Sequence, residues 1–566
     1  MRRALFLCLG IVVFTWLEFQ FFPGHTYLRG DSQIYVPVLE RLDTPGYLSR
    51  DLVATHPHVT YTIYDEVTLF LHVAGRLTLQ RALEVQQVVC RAAAIAGIFL
   101  LVLSTGLGEA WAFLVAVLLN LGATLAGPAV ELVQSEPLPV GFAFALSLLA
   151  MGFLAREKPL LAGLSGGIAC VYHPATAAPF WGLVLLVFAV DRSLRKLFRP
   201  ALTILVIFAL LLGNLAQLQP GIAESQPFFG KLSANLAELQ QYRTPYVWVS
   251  LWAGADIWHY LAIWICGLWA TTRIWASLNR QVRWFLLVLP TYGILSVPLS
   301  YLLLERFRWS FIPEVQPARA LLFTVAMASL ACGVAGIRAA QARRRAEAFL
   351  WLLLVFALPM NTRILDFLRL SRLTNLAQLI LCVAFAAALT ALIRRFAATR
   401  WRLAVLGLPI LAILAFAMMS RITDYSNSEK ASVIGLADWA ETNTWGSSVF
   451  LFPDAGRELY PGIFRAQSRR ALWVDWESGD LVDYFESAGI EWWNRWQQTM
   501  QDRYSTDRLE SSLSLPIDYY VLKQADRLAD VKQIFENRAY VVYDARDLRK
   551  ASAPLRNASM SKKLTG

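Results

Sequence analysis

Long apolar runs separated by short polar connections fill the chain up to residue 419, at 4–22, 82–103, 111–126, 138–154, 160–172, 177–190, 201–218, 257–269, 284–301, 320–337, 348–360, 376–393 and 403–419. Crossing the hydrocarbon of a bilayer takes about 20 apolar residues in a helix, so each run predicts a transmembrane helix. That makes about thirteen, an odd number, which puts the two ends of the chain on opposite sides. The runs at 160–172, 257–269 and 348–360 are short for a span and are expected to be kinked or partly inserted. Past Ser420 the pattern changes. Residues 433–443 have a helical pattern, whereas 448–452, 471–476, 518–522 and 539–543 are short β-rich runs. The expected fold is an all-α polytopic membrane domain over 1–422 followed by a small α/β domain over 423–549, with a disordered Ser-, Lys- and Ala-rich tail at 550–566.

Charge orients this array. Alternate connections carry Arg156 and Lys158, then Arg192, Arg195, Lys196 and Arg199, then Arg273, Arg280 and Arg283, then Arg338, Arg343, Arg344 and Arg345, then Arg394, Arg395, Arg400 and Arg402. By the positive-inside rule these connections and the N-terminus are cytoplasmic, so the last domain is extracytoplasmic. Arg2 and Arg3 before the first run resemble the start of a signal peptide. The run is of spanning length, however, and Phe21, Phe22 and Pro23 follow it in place of a small-residue cleavage site. It is read as a retained helix.

Composition removes several function classes. Of the 566 residues, 57% are hydrophobic and 16% charged, too apolar for a wholly soluble protein. The net charge of +11 is distributed as helix-orienting Arg and Lys, which gives no reason to expect a nucleic-acid partner. All six cysteines lie in apolar runs, so neither a disulfide framework nor a Cys-based zinc site is expected.

Polar chemistry collects in the predicted outer loops. The first of them, 23–81, holds Gly30-Asp31-Ser32, Asp51, His56-Pro57-His58 and Asp65-Glu66, with two amphipathic stretches at 33–42 and 67–79 suited to the membrane surface. A carboxylate held where a helix leaves the bilayer gains basicity, which makes Asp31 the candidate general base. The competing reading is that Asp31 merely caps the helix that begins at Ser32. All six histidines map to the outer side. With Glu131 and Glu136, His56 and His58 are candidate ligands for a divalent metal, or are simply hydrogen-bonded at the interface. His173 and the Glu131/Glu136 pair end spans on the outer side, where an ionisable group is a functional candidate. Arg243, Arg306 and Arg319 run against the positive-inside rule, and a lipid-borne phosphate or nearby Glu305 and Glu314 would account for them. Trp248, Trp252 and Trp258 form either an interfacial belt or a sugar-stacking platform.

This arrangement resembles the GT-C class of membrane glycosyltransferases, which includes protein O-mannosyltransferases, aminoarabinose transferases and oligosaccharyltransferase catalytic subunits. The likeness rests on this layout and on the Gly30-Asp31-Ser32-Gln33-Ile34-Tyr35 segment, which stands where the class carries its acidic loop motif. Asp31 to Asp51, His173-Pro174, Arg243-Thr-Pro, Gln316-Pro-Ala-Arg319 and Asp438-Trp-Ala-Glu-Thr-Asn-Thr444 at the entry to the last domain resemble, more specifically, a set of bacterial membrane proteins of the same architecture. Two departures stand out. The Asp-Glu pair of the mannosyltransferase loop is Asp31-Ser32 here, so a second acid must come from elsewhere, with Asp51 or Glu131 as candidates. Trp492-Trp493 is followed by Asn494, which leaves sequon-specific protein glycosylation unsupported.

The resemblance implies an inverting glycosyltransferase that moves a sugar from a polyprenyl-phosphate carrier to a glycan, lipid or protein acceptor on the outer face. Asp31 and Asp51 would be catalytic, Arg243, Arg306, Arg319 and His173 would bind the donor phosphate, and Glu131, Glu136, His56 and His58 would assist. No definite cofactor is indicated, and a divalent metal is an open alternative. A flippase for lipid-linked sugars is the rival from another class; it calls for midplane charges and repeated halves, neither of which is visible. A non-catalytic membrane protein that binds envelope polymers is the third reading.

Overall fold

The computed structural model describes residues 2–57, 62–218, 228–360, 373–396, 406–419, 427–500 and 504–551. The chain is mostly helical. Helix α1 (Arg2–Gln20) leads into a loop carrying α2 (Ser32–Asp43), the single turn α3 (Leu52–Thr55) and α4 (Tyr64–Val73). The apolar array follows as α5 (Leu79–Leu103), α6 (Glu109–Leu119), the hairpin β1 (Thr124–Leu125) and β2 (Val130–Glu131), α7 (Pro139–Ala155), α8 (Pro159–Tyr172), α9 (Pro174–Val190) and α10 (Arg195–Leu218). After α11 (Ala234–Arg243) come α12 (Gly254–Ile274), α13 (Arg280–Ser300), α14 (Ile312–Val315), α15 (Leu321–Gln341), α16 (Arg345–Met360), α17 (Leu373–Phe396) and α18 (Gly407–Met419).

Local chemistry sets many of these boundaries. Thr78, Ser233 and Asn279 cap α5, α11 and α13 by accepting the backbone N–H three residues on. Prolines open α7, α8 and α9, where the missing N–H costs nothing. Two expected short spans prove longer than their apolar cores: 257–269 lies within α12 and 348–360 within α16.

Among the described residues, five helices are long and apolar enough to cross a membrane, and six further apolar helices have 10–17 residues. The protein is therefore an integral membrane protein. Helix α15 is its axis, with its apolar stretch wholly buried and α12, α13 and α16 packed around it. Close packing in lipid depends on small residues, because hydrocarbon gives helices little hydrophobic reason to associate. Gly97 of α5 lies against the backbone of α7 at Leu148 and Gly152, with no room for a Cβ. By contrast, Val206, Ile207, Leu210 and Leu211 of α10 are exposed, as a lipid-facing stripe would be.

The C-terminal part contains α19 (Asn427–Asn443), β3 (Val449–Leu451), α20 (Tyr460–Ser468), β4 (Ala471–Leu472), α21 (Glu486–Thr499), α22 (Thr506–Ser512), β5 (Tyr519–Lys523), β6 (Phe535–Glu536) and β7 (Tyr540–Asp544). The sheet order is β4-β3-β5-β7-β6. Strand β3 runs parallel to β4 and β5, and β7 runs antiparallel to β5 and β6. Its central strands bury Phe450, Leu451, Tyr520, Val521, Val541 and Val542, the continuous apolar pattern of a sheet covered on both faces. This unit docks on the first loop. Arg50 reaches the carboxylate of Asp518, and Gln33 Nε2 donates to the Leu459 carbonyl at 2.9 Å.

Candidate active site

Asp31 stands at the N-terminal end of α2 with helical backbone angles, and its side chain makes no capping hydrogen bond. Among the described residues its carboxylate has no hydrogen-bond or ion-pair partner, and the residue is exposed. Its presentation comes from Glu136. One oxygen of that carboxylate accepts the backbone N–H groups of Arg29 (2.7 Å) and Gly30 (3.0 Å) and the Ser32 hydroxyl (2.5 Å). A Cβ at Gly30 would come within 3.2 Å of the other oxygen. Leu28, just upstream, is held in the left-handed region at φ 58, a conformation that persists only where its surroundings impose it. The Gly30-Asp31-Ser32 segment is thus clamped by an acid more than a hundred positions away in sequence.

Opposite Asp31 lies an acidic turn that sequence reasoning missed, Glu477–Asp483, just after β4. Carboxylate oxygens of Asp31, Glu477 and Asp480 lie within 4.8 Å of one another. Arg243, buried at the end of α11, pairs with Asp480 at 3.1 Å and Glu477 at 3.4 Å. Its Nε donates to the Trp476 carbonyl at 2.9 Å, and the guanidinium lies 4.7 Å from the Trp476 ring centre. Gly479 permits this approach, since a Cβ there would lie 2.8 Å from the Arg243 side chain.

Burial pushes the carboxyls of Glu477 and Asp480 up from their ordinary range, against the pull of Arg243, and the Asp31 charge pushes the same way. Arg243 faces both acids at once. Deeper still, Asp483 is lifted by burial and accepts a hydrogen bond from Thr244 at 2.9 Å.

Arg319 completes the group. It lies in the turn Pro317–Ala320, after Gln316 in the left-handed region (φ 46), within electrostatic reach of Tyr246, Tyr484, Asp31 and Tyr35. Among the described residues it forms no ion pair, and its buried Nε has no acceptor. A cation with no ion-pair partner among the described residues, within electrostatic reach of a carboxylate that has no donor among them, can bind an anionic group while the carboxylate takes a proton from a neighbouring hydroxyl.

Other candidates from the sequence lie elsewhere or act as supports. Asp51 is fully buried and caps α3 by accepting from Val53 and Ala54. It also accepts the Leu472 N–H at 3.0 Å and lies 3.8 Å from Arg465. His173 caps α9 through Thr176, and Glu131 accepts the Ser135 N–H at 2.8 Å. His56 lies 2.8 Å from the Leu52 carbonyl through Nδ1. Arg306 is exposed, 5.4 Å from the Tyr301 ring centre. His58 lies outside the described residues. The described trio suited to a divalent cation is Asp31, Glu477 and Asp480, but Arg243 already supplies positive charge to two of them.

The clamp has a pH signature. Burial raises the Glu136 carboxyl from 4.5 to about 7, against the lowering effect of the Ser32, Gly30 and Arg29 donors. The folded protein therefore holds this proton more tightly than the unfolded chain. The contribution is complete below about pH 4.5 and is lost as pH rises to about 7, on the order of 3 kcal/mol. Melting profiles between pH 4 and 8 are expected to fall less steeply for Glu136→Gln than for the wild type; parallel profiles would contradict the assignment.

No protein-family model matches the chain, and no curated protein matches it. Among solved structures, it is similar to the crystal structure of ArnT from Cupriavidus metallidurans bound to undecaprenyl phosphate, at 12% identity, covering 96% of this chain and 97% of that one, with a TM-score of 0.46. The same protein in its apo state aligns at 10% identity over 96% and 98% of the two chains, with a TM-score of 0.44. The cryo-EM structure of the arabinofuranosyltransferase AftD from Mycobacteria aligns at 13% identity over 96% of this chain and 42% of that one, with a TM-score of 0.39.

Proposed function

We propose that the chain is a membrane glycosyltransferase of the GT-C class. It moves a sugar from a polyprenyl-phosphate donor to an acceptor hydroxyl at the extracytoplasmic face of the bacterial inner membrane. The observation that carries this reading is the uncapped carboxylate of Asp31 within electrostatic reach of Arg319, a guanidinium with no ion-pair partner among the described residues. Asp31 takes the proton of the acceptor hydroxyl as its oxygen bonds to the anomeric carbon. The bond from that carbon to the phosphate oxygen breaks on the opposite side, which inverts the centre. Arg319 receives the charge that develops on the leaving phosphate.

Arg243 acts one layer back and holds Glu477 and Asp480 in place, so the second acid of the site comes from the acidic turn. Asp51, Glu131, Glu136 and His56 hold the surrounding backbone, while Arg306 and His173 are reserves for the lipid phosphate at the membrane edge. In this reading the shorter apolar helices, together with α12 and α16, complete about thirteen spans. The N-terminus is cytoplasmic, and the sheet-bearing α/β unit lies outside.

Purified protein in nanodiscs, given a radiolabelled polyprenyl-phosphate sugar and candidate acceptors, is expected to form a new glycoside. Movement of label between leaflets without a new bond would favour a flippase. Arg319→Gln is expected to lower kcat about 10²- to 10³-fold, the typical cost of one charge-stabilising donor. Arg319→Lys should retain part of the rate. Equal rates in all three proteins would remove Arg319 from the mechanism.

A further inference from the structure

A cavity of about 500 Å³ opens in the sheet-bearing unit and is lined by none of the residues around Asp31. The topology explains its place. From β3 the chain passes through α20 to β4 on one side, then through α21 and α22 to β5 on the other side of β3. Connections thus leave the neighbouring parallel strands β3 and β5 in opposite directions. Open α/β sheets bind ligands in the crevice at the carboxyl ends of such a strand pair. Glu458 and Leu459 line the cavity from the segment after β3, and Lys523 and Gln524 from the end of β5. Tyr460 and Tyr540 form a wall, their ring centres 5.2 Å apart.

The lining selects a ligand class. Lys523 and Glu458 are paired at 2.5 Å at the rim, so the mouth carries both signs and no net charge. Asp454 lies directly behind, accepting the Lys523 N–H, and disfavours an anion. The lining is largely apolar, with Val433, Ile463, Ala525 and Ala539 beside the tyrosines. Aromatic and aliphatic walls suit the C–H faces of a sugar ring, and a paired cation and carboxylate at the rim suit its hydroxyls. A lipid tail has no use for a charged mouth, and the volume lies within the usual range for small-ligand sites, about 300–1,000 Å³.

We propose that this cleft binds a short neutral saccharide. It is joined to the first site through one hydrogen bond, since the Leu459 carbonyl accepts from the side-chain amide of Gln33, two residues after Asp31. Binding itself stands independently of the chemistry at Asp31. That the saccharide belongs to the acceptor rests on the function proposed above.

The test uses the full chain in nanodiscs on an array of glucose-, mannose- and galactose-based oligosaccharides printed in neutral, carboxylated and phosphorylated forms. Neutral glycans are expected to be retained by the wild type and by Asp31→Asn. Retention should weaken tenfold or more in Lys523→Ala, which removes a rim donor, and in Ala525→Trp, which fills the cleft from an exposed position. Retention of acidic glycans alone, of no glycan at all, or equally by the wild type and Ala525→Trp would overturn the assignment, as would loss of binding in Asp31→Asn. Unchanged turnover by Asp31→Asn would defeat the catalytic reading and leave the array result intact, so the two failures are distinguishable.

Discussion

Asp31→Asn is expected to abolish sugar transfer, with a fall in kcat of about 10²- to 10⁴-fold, the range for loss of a general acid or base. The amide keeps the size of the carboxylate and removes its basicity. Asp31 is exposed and makes no capping bond, so the melting temperature should stay close to that of the wild type. That separates this variant from one that simply unfolds. Donor binding should persist, because the phosphate contact is assigned to Arg319. Turnover comparable to the wild type would remove Asp31 as the base.

Arg465→Met should be the most damaging change to stability. Arg465 is fully buried, paired with Asp475 at 3.1 Å and lying 3.8 Å from Asp51. It also donates to Ser478 at 3.0 Å and to the Gln33 carbonyl at 2.8 Å. One guanidinium thus ties α20, the approach to the acidic turn and α2 together. Methionine replaces its bulk but leaves two buried carboxylates without a cation, a loss of about 3–5 kcal/mol. Burial already pushes the Asp51 carboxyl up, with Arg465 the largest opposing influence, so its protonation in the variant recovers part of that loss. Hydrogen exchange should rise along α2 as well as in the sheet. A variant that melts like the wild type would mean that the docking depends on other contacts.

The sequence was informative where the physics is local. Apolar runs and the positive-inside pattern predict the helices and a direction for them, because solvent and surface charge act on each segment separately. Asp31, Glu136, Arg243 and Arg319 were recognisable as ionisable groups at the edges of apolar runs. What each does depends on partners hundreds of residues away, and no spacing rule reaches that far. The capping role considered for Asp31 is the one Asp51 performs, and both are acids just before a short helix. The difference is that the Leu472 N–H and Arg465 meet Asp51, while the carboxylate of Asp31 has no hydrogen-bond donor among the described residues. The acidic turn was missed because Asp475-Trp-Glu-Ser-Gly-Asp-Leu-Val-Asp483 reads as an ordinary solvated loop in a soluble domain. Four acids within nine residues, interrupted by a tryptophan and a glycine, were the available signal. Their burial against Arg243 appears only once the sheet-bearing unit is docked on the first loop.

The most direct test of the central claim is a cryo-EM map of the full-length protein in nanodiscs with a bound polyprenyl phosphate. The account predicts the phosphate within hydrogen-bond distance of the Arg319 guanidinium, with space for a sugar between it and the Asp31 carboxylate. A phosphate seated at Arg306 or along another helix, with Asp31 facing only water, would contradict it.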